Sequence, residues 1–138
     1  MAKIKVMSAG AVEGPVSELA PEFTRASGHE VELSFNTVGA HKERFVGGEK
    51  TDVIILSFPV IEALEKEGRF AAGSRVDLGH ASCGVAVRDG MMMPNIATVE
   101  AFKRMLHNAG SIAANDPAHG GSSGIYLADL LKLSLIHI

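Results

Sequence analysis

The sequence predicts an α/β fold in which a mostly parallel sheet is flanked by helices. Strand-like and helix-like segments alternate three times over residues 1–68, which is the pattern of repeated βαβ units. The third strand-like segment, residues 52–57, contains an unbroken apolar run typical of a parallel strand covered on both faces. A segment containing glycine or a hydroxyl side chain follows each predicted strand, where the turn into a crossover helix is expected.

The first strand is predicted over residues 4–7. The helix after it begins near Gly14-Pro15, since proline fits a first helical turn. Four apolar residues then recur at helical spacing: Val16, Leu19, Phe23 and Ala26. Gly28 is placed to end this helix. Pro21 lies inside the pattern, so we expect the helix to be kinked or split there.

Two further strand–helix pairs complete the alternation. Residues 29–35 alternate polar and apolar side chains, which predicts a half-buried strand, and a short helix is expected over residues 40–46. Residues 52–57 then form a strand that we expect to lie in the centre of the sheet. A helix follows that strand from residue 58 and ends at Gly68.

The second half of the chain has a less regular pattern. Three short strands are expected, over residues 74–78, 84–88 and 111–114. Thr98 is placed to cap a helix over residues 99–108, and a last helix is expected over residues 123–131. Asp89-Gly90 predicts a turn.

The last six residues, 133–138, continue none of these patterns and cap no predicted helix. We interpret them as a non-native tail, which predicts that the natural protein continues beyond residue 132. The alternative is a hydrophobic terminal strand.

The composition argues against several kinds of partner. The 138 residues include 13 basic and 16 acidic side chains, for a net charge of −3, and no basic run, so nucleic acid is not expected as the main partner. No apolar run approaches the roughly 20 residues of a membrane helix, so direct membrane insertion is not expected. Cys83 is the single cysteine, which excludes an intrachain disulfide, and we expect it to be buried.

No pattern of a catalytic or metal-binding site is found. The six histidines include no pair spaced for a metal ion, and no nucleophile–base–acid set or carboxylate pair has an informative spacing. Gly124 is followed by Ile125 rather than by the lysine of a nucleotide-binding loop. We therefore predict a protein that is not an enzyme and that holds no cofactor and no metal.

Three clusters of hydroxyl-bearing and glycine residues point to a binding site. They cover residues 8–11, 36–39 and 120–124, and each precedes a predicted helix. A helix N-terminus offers free backbone N–H groups and the positive end of the helix dipole, and ligands of parallel sheets bind beyond the carboxyl ends of strands. We expect Ser8, Thr37 and Ser57 to lie at such strand ends, and the clusters to form a site for a small anion. The alternatives are simple N-capping at residues 8–11 and 36–39 and a flexible turn at residues 120–124.

Four segments carry a resemblance to a known family. They are IKVMSAG at 4–10, VELSFNTVG at 31–39, TDVIILS at 51–57 and DPAHGGSSGIY at 116–126. In order and spacing they resemble the bacterial molybdate-binding-type periplasmic solute-binding proteins, the substrate receptors of ABC transporters. The resemblance extends from residue 3 to about residue 132.

The resemblance implies a type II periplasmic-binding-protein-like fold of two lobes. On this interpretation residues 1–80 form the first α/β lobe, and residues 81–132 form the hinge and part of an incomplete second lobe, which implies C-terminal truncation. The implied ligand is a small tetrahedral oxyanion, molybdate or tungstate, delivered to the membrane subunits of an ABC transporter. By motif the family's donors fall on Ser8, Thr37, Ser122 and Ser123, and Ser57 matches a strand-end position near the cleft. The backbone N–H groups that follow Ser8 and Thr37 in the clusters add Ala9, Gly10 and Val38 to the candidate site.

Two departures leave alternatives open. Residues 9–11 and 36–38 differ from the serine-rich loops of molybdate receptors, so another oxyanion or an organic acid is also considered. No leader pattern precedes the first strand, so the location is expected to be periplasmic if a leader has been removed and cytoplasmic otherwise. A cytoplasmic anion or organic-acid sensor on the same fold is therefore the alternative function.

Overall fold

The computed structural model describes residues 1–133, with side chains described through Lys132. It contains three strands and five α-helices within that range: β1 Lys3–Ala9, α1 Glu13–Ser27, β2 Glu30–Asn36, α2 Val38–Val46, β3 Val53–Ile55, α3 Phe58–Lys66, α4 Val99–Asn108 and α5 Ser122–Leu133. Two short 3₁₀ turns, Gly10–Val12 and Pro117–His119, precede α1 and α5. The predicted tail lies outside the described residues apart from the backbone of Leu133, so its interpretation stays a prediction.

The sheet is parallel and has the strand order β2–β1–β3. The α/β class and the parallel sheet flanked by helices are therefore confirmed. The position of the third strand was predicted wrongly: β1 is the central strand, and β3 is a three-residue strand with Val53 45% exposed. Within the described residues β3 pairs only with β1, so its apolar run is covered less than a central strand would be.

The core of the described residues lies between the sheet and its helices. It consists mainly of Val6, Met7 and Ala9 of β1, Val38 of α2 and Leu64 of α3. These residues come from the central strand and the two helices that follow the other strands, which is the packing expected of βαβ units. The same packing fixes where the ends of the strands lie.

Helix α1 is continuous across Pro21, so the predicted split is wrong. Pro21 has no backbone N–H, so it cannot donate to the Ser17 carbonyl four residues earlier. Both residues are exposed, and water can therefore bind the Ser17 carbonyl instead. The predicted end of the helix is confirmed. Gly28 has φ +71° and its N–H donates to the Thr24 carbonyl at 2.9 Å.

The segment between α3 and α4 contains the largest disagreement with the sequence prediction. No strand forms over residues 74–78 or 84–88, nor over 111–114 further along, among the residues described. A strand requires a partner edge for its backbone hydrogen bonds, and these segments have none within the described part of the chain. Cys83, predicted to be buried, lies in this segment and is exposed for the same reason.

In this half of the chain, a turn and a helix cap that depend on only a few neighbouring residues were predicted correctly. The Asp89-Gly90 turn forms, with Gly90 at φ +77° and its N–H donating to the Asp89 carboxylate at 3.0 Å. Thr98 caps α4 by accepting a hydrogen bond from the Ala101 N–H at 3.1 Å.

No helix within residues 1–133 has both the length and the apolar character needed to span a bilayer.

Candidate functional site

The strand register brings the first two clusters to one edge of the sheet. Ala9, the last residue of β1, lies opposite Asn36, the last residue of β2, and Ser8 lies opposite Ile55 at the end of β3. Because all three strands are parallel, their carboxyl ends meet at this edge, which we call the carboxyl edge. Thr37 follows β2 at the same edge.

Ser8 lies beneath the surface of the carboxyl edge. It is fully buried, and its hydroxyl donates to the Ala9 carbonyl at 3.3 Å. Ala9 is also buried, whereas Gly10 is exposed and begins the 3₁₀ turn that leads into α1. The N-cap position of α1, Val12, makes no side-chain capping bond, so the first cluster does not cap its helix.

Thr37 is the N-cap residue of α2. Its hydroxyl oxygen accepts a hydrogen bond from the Ala40 N–H at 3.2 Å, and its hydroxyl donates to the His119 carbonyl at 3.4 Å. The capping alternative raised from the sequence is therefore observed for the second cluster. Val38 begins the helix and is buried. A capping hydroxyl at a helix N-terminus is also placed where an anion would meet it.

The second and third clusters are in direct contact through their backbones. The Gly39 N–H donates to the Gly120 carbonyl at 3.1 Å, so an amide in the first turn of α2 is bound by the loop that precedes α5. Gly120 has φ +70°, a conformation that favours glycine. The structure therefore brings residues 36–39 and 120–124 together although some 80 residues separate them in sequence.

Ser122 and Ser123 begin α5, and Ser57 begins α3. The Ser123 hydroxyl accepts a hydrogen bond from the Asn115 side-chain amide at 2.7 Å, and Ser122 is exposed. Ser57 is the N-cap residue of α3, half-buried, and makes no side-chain capping bond. The hydroxyls of these three residues do not contribute to the contact between the second and third clusters, which runs through His119 and Gly120.

Asn115 is a site residue that the sequence analysis missed. Besides bonding Ser123, it lies so close to Gly124 that a methyl group at that position would overlap the Asn115 carbonyl. The neighbouring Asp116 accepts from the Ala118 N–H at 2.8 Å and pairs with the His119 ring at 3.0 Å. The pKa of Asp116 lies below its usual range. The hydrogen bond from the Ala118 N–H is the larger cause, and the His119 ring lowers the pKa further. The Asn-Asp-Pro sequence before the glycines was the available signal, since such residues fix turns.

His41 is the second residue that was missed. It lies one turn into α2, where its N–H donates to the Thr37 carbonyl at 3.1 Å, and its side chain is fully buried. Neither ring nitrogen has a hydrogen-bond partner in the described part of the chain. The pKa of His41 lies below its ordinary value, mainly because the ring is buried and secondly because of the nearby charge of Arg44. The backbone groups of Ser34 and Ser8 lie close enough to oppose this shift in part.

The donors gathered at the carboxyl edge are hydroxyls and backbone amides. They come from Thr37 and the first turn of α2, beside the loop that leads into α5, and Ser57 follows β3 at the same edge. The Thr37 hydroxyl and the Gly39 N–H donate to the His119 and Gly120 carbonyls in this structure, so an anion would compete with these acceptors. Such donors can stabilise an anion by hydrogen bonds and helix dipoles. No group of three or more His, Cys, Asp or Glu side chains suited to a metal ion occurs within residues 1–133.

A parallel sheet with donor-bearing helix starts at its carboxyl edge is the architecture of a ligand-binding α/β protein. Residues 4–135 match the family described as bacterial extracellular solute-binding protein, and the chain belongs to that family. The family assignment confirms the coarser part of the resemblance drawn from the sequence, that of a solute-binding protein.

Two individual proteins are similar to parts of this chain. An aconitate isomerase from a Pseudomonas species is 33% identical over 133 residues, which cover 93% of this chain and 49% of that protein. The chain thus spans about half the length of this curated relative. The substrate-binding domain of a molybdenum ABC transporter from Clostridium difficile aligns at 12% identity with a TM-score of 0.45, over 49% of this chain and 30% of the other.

Proposed function

We propose that this chain contributes its carboxyl edge to the ligand site of a receptor for a small oxyanion, with molybdate or tungstate as first candidates. The observation that carries the proposal is the contact between the second and third clusters, which places two helix starts beside each other. Neutral donors at helix starts suit an anion recognised by shape and hydrogen-bond geometry. Ser8, Ala9, Gly10, Thr37, Val38, Ser57, Ser122 and Ser123 are proposed to line or support this site.

The family supports delivery of the bound solute to the membrane subunits of an ABC transporter as the role of the receptor. Its description as extracellular supports a location outside the cytoplasm. Fractionation of cells that express the natural gene tests the location: recovery from the cytoplasm alone would favour the alternative of a cytoplasmic anion or organic-acid sensor.

Titration calorimetry with the chain tests the proposed ligand class. Molybdate, tungstate, sulfate and phosphate are titrated separately, and at least one is expected to bind. In the bound state the anion is expected to replace the His119 carbonyl as the acceptor of the Thr37 hydroxyl, whose present bond is long, at 3.4 Å. Thr37→Ala should therefore weaken binding about tenfold or more, because a hydrogen bond to a charged group contributes on the order of 1.5–3 kcal/mol.

Thr98→Ala is the matched control for Thr37→Ala. Both threonines are N-cap residues whose hydroxyls accept from the N–H three residues later, at 3.2 Å for Thr37 and 3.1 Å for Thr98. The two variants lose equivalent caps, and Thr37→Ala also loses the bond to the His119 carbonyl and a group of the proposed site. Absence of binding by all four anions, or equal losses in both variants, would contradict the proposal.

A carboxylate ligand is the second candidate, and one observation favours it. The 33% identical relative is an aconitate isomerase, and carboxylates accept the same hydroxyl and amide donors as an inorganic oxyanion. Calorimetry with aconitate distinguishes this candidate from the first. We propose that the chain binds its ligand without converting it. Incubation with aconitate, followed by NMR of the aconitate isomers, tests this point. Interconversion of the isomers faster than in buffer would overturn it.

A further inference from the structure

Helix α2 is held on the sheet by two buried side chains, and one of them can take up a proton. Among its nine residues, Val38 and His41 are the buried ones. A helix of nine residues is too short to be stable alone in water, so α2 depends on this packing. A change that makes the buried position of the His41 ring unfavourable therefore acts on the attachment of the whole helix.

The surroundings of the His41 ring suit its neutral form. Both ring nitrogens are buried without a hydrogen-bond partner in the described part of the chain. The groups near the ring on β1 and β2 are the uncharged backbones of Ser8 and Ser34, and the charged groups that act on it are Arg44, which repels a protonated ring, and Glu49. The Arg44 guanidinium already binds the Glu49 carboxylate, at 2.6 and 2.7 Å. A proton on His41 would thus be buried without a counter-charge of its own, which is costly.

The start of α2 also holds the loop that precedes α5. The Gly39 N–H donates to the Gly120 carbonyl at 3.1 Å, and the Thr37 hydroxyl donates to the His119 carbonyl at 3.4 Å. The backbones are so close that a Cβ atom built on Gly39 would lie 2.8 Å from the Gly120 Cα. Because hydrogen bonds weaken steeply with distance and angle, these contacts persist only while α2 keeps its position on the sheet. The packing of His41 therefore supports the contact between the two clusters.

We propose that His41 is a pH-sensitive switch: protonation of its buried ring releases α2 from the sheet and, with it, the contact between the second and third clusters. Water can solvate the charged ring only when α2 moves away from β1 and β2, so a proton favours the open form. The carboxyl edge is therefore assembled at neutral pH and opens in acid. This inference goes beyond the proposed function and does not depend on any ligand, since it concerns the packing of α2.

Amide hydrogen exchange of the unsubstituted chain tests the switch. It is followed by NMR from about pH 7.5 to about pH 5, the range in which histidine titrates, and is corrected for the intrinsic exchange rate at each pH. In the open form His41 takes up a proton near its ordinary value of 6.5, whereas the buried ring does so only at lower pH. Protection of the α2 amides should therefore be constant above this value and fall by up to about tenfold per pH unit below it.

The amides of β1, the central strand, separate local opening of α2 from unfolding of the chain. At neutral pH the α2 amides should be at least about tenfold less protected than those of β1, because α2 opens without the sheet. Equal protection in α2 and β1 at every pH would overturn the proposal, since α2 would then open only when the chain unfolds. Protection of α2 that stays constant in acid would overturn it as well. The anion titrations are unaffected by either result, so the two proposals fail separately.

His41→Met and Val38→Ala form a matched pair of variants, since they alter the two buried side chains of α2. Methionine is apolar, flexible and favoured in helices, and it does not titrate, so α2 protection in His41→Met should not depend on pH over this range. Val38→Ala removes packing but keeps the histidine, so protection should be lower at every pH and still fall in acid. A fall in His41→Met equal to that in the unsubstituted chain would overturn the proposal. If a variant does not fold, the measurement on the unsubstituted chain decides.

Discussion

Residues 3–68, the sheet region, and residues 69–98, the extended region, have similar apolar patterns and very different structures. In the sheet region, β1 has a strand partner on each side and its last four residues are buried. In the extended region, apolar side chains such as Met92, which is 91% exposed, face solvent. The difference shows that an apolar pattern forms a strand only where a partner edge is available, because backbone pairing and burial must be satisfied together.

Truncation of a leucine in each region should show the largest effect. Leu64 of α3 is 0% exposed and Leu78 of the extended region is 67% exposed. Leu64→Ala is expected to lower the free energy of unfolding by about 2–5 kcal/mol, since it leaves a cavity. Leu78→Ala should change it by less than about 0.5 kcal/mol. Urea unfolding followed by circular dichroism measures both, and equal losses would contradict the contrast between the regions.

The pH dependence of stability should reveal a smaller effect within the sheet region. Burial lowers the pKa of His41 in the folded chain below its ordinary value of 6.5. As the pH falls below 6.5, the His41 ring therefore gains a proton in the unfolded chain before it does so in the folded chain. The free energy of unfolding should therefore decrease as pH falls from 6.5 towards the folded-state pKa, by at most about 1.4 kcal/mol per pH unit from this group.

His41→Gln removes this titration and keeps a polar side chain of similar length. It should flatten the decrease of unfolding free energy between pH 6.5 and pH 5 relative to the unsubstituted chain. A slope that is the same in His41→Gln and in the unsubstituted chain would show that His41 does not titrate in this way.

A cap substitution at Thr98, the last residue of the extended region, should show the smallest effect. Thr98→Ala removes the bond to the Ala101 N–H and should destabilise α4 by about 1 kcal/mol. Hydrogen exchange is expected to become faster in the α4 amides and to stay unchanged in β1. Thr98→Ser keeps the hydroxyl and should restore protection. Equal loss of protection in β1 of Thr98→Ala would mean that α4 and the sheet region unfold together.

Local signals made most of the fold predictable. Gly28 and Thr98 act within one turn of their helices, and both end or begin the helix where the sequence indicated. The central place assigned to β3 and the strands expected over residues 74–78 and 84–88 were wrong. Those predictions depended on which segments pair across the chain, and an apolar pattern carries no information about its partner.

The candidate site was predictable to a similar extent. The meeting of β1 and β2 at the carboxyl edge follows from parallel pairing, so the positions of Ser8 and Thr37 could be inferred. The roles of His41 and Asn115 could not be inferred from the sequence. The role of His41 depends on its burial, and that of Asn115 depends on a turn that packs against Gly124. The ligand roles proposed for the residues of the carboxyl edge stay predictions until binding is measured.

The contact between Gly39 and Gly120 also has an evolutionary consequence. Most tight contacts can tolerate a larger residue on one side if the other side becomes smaller, which allows paired substitutions to accumulate. Here both partners are already the smallest residue, so neither position can compensate for a change in the other. Homologous chains that retain this contact are therefore expected to keep both glycines, whereas chains that lose one are expected to have lost the contact.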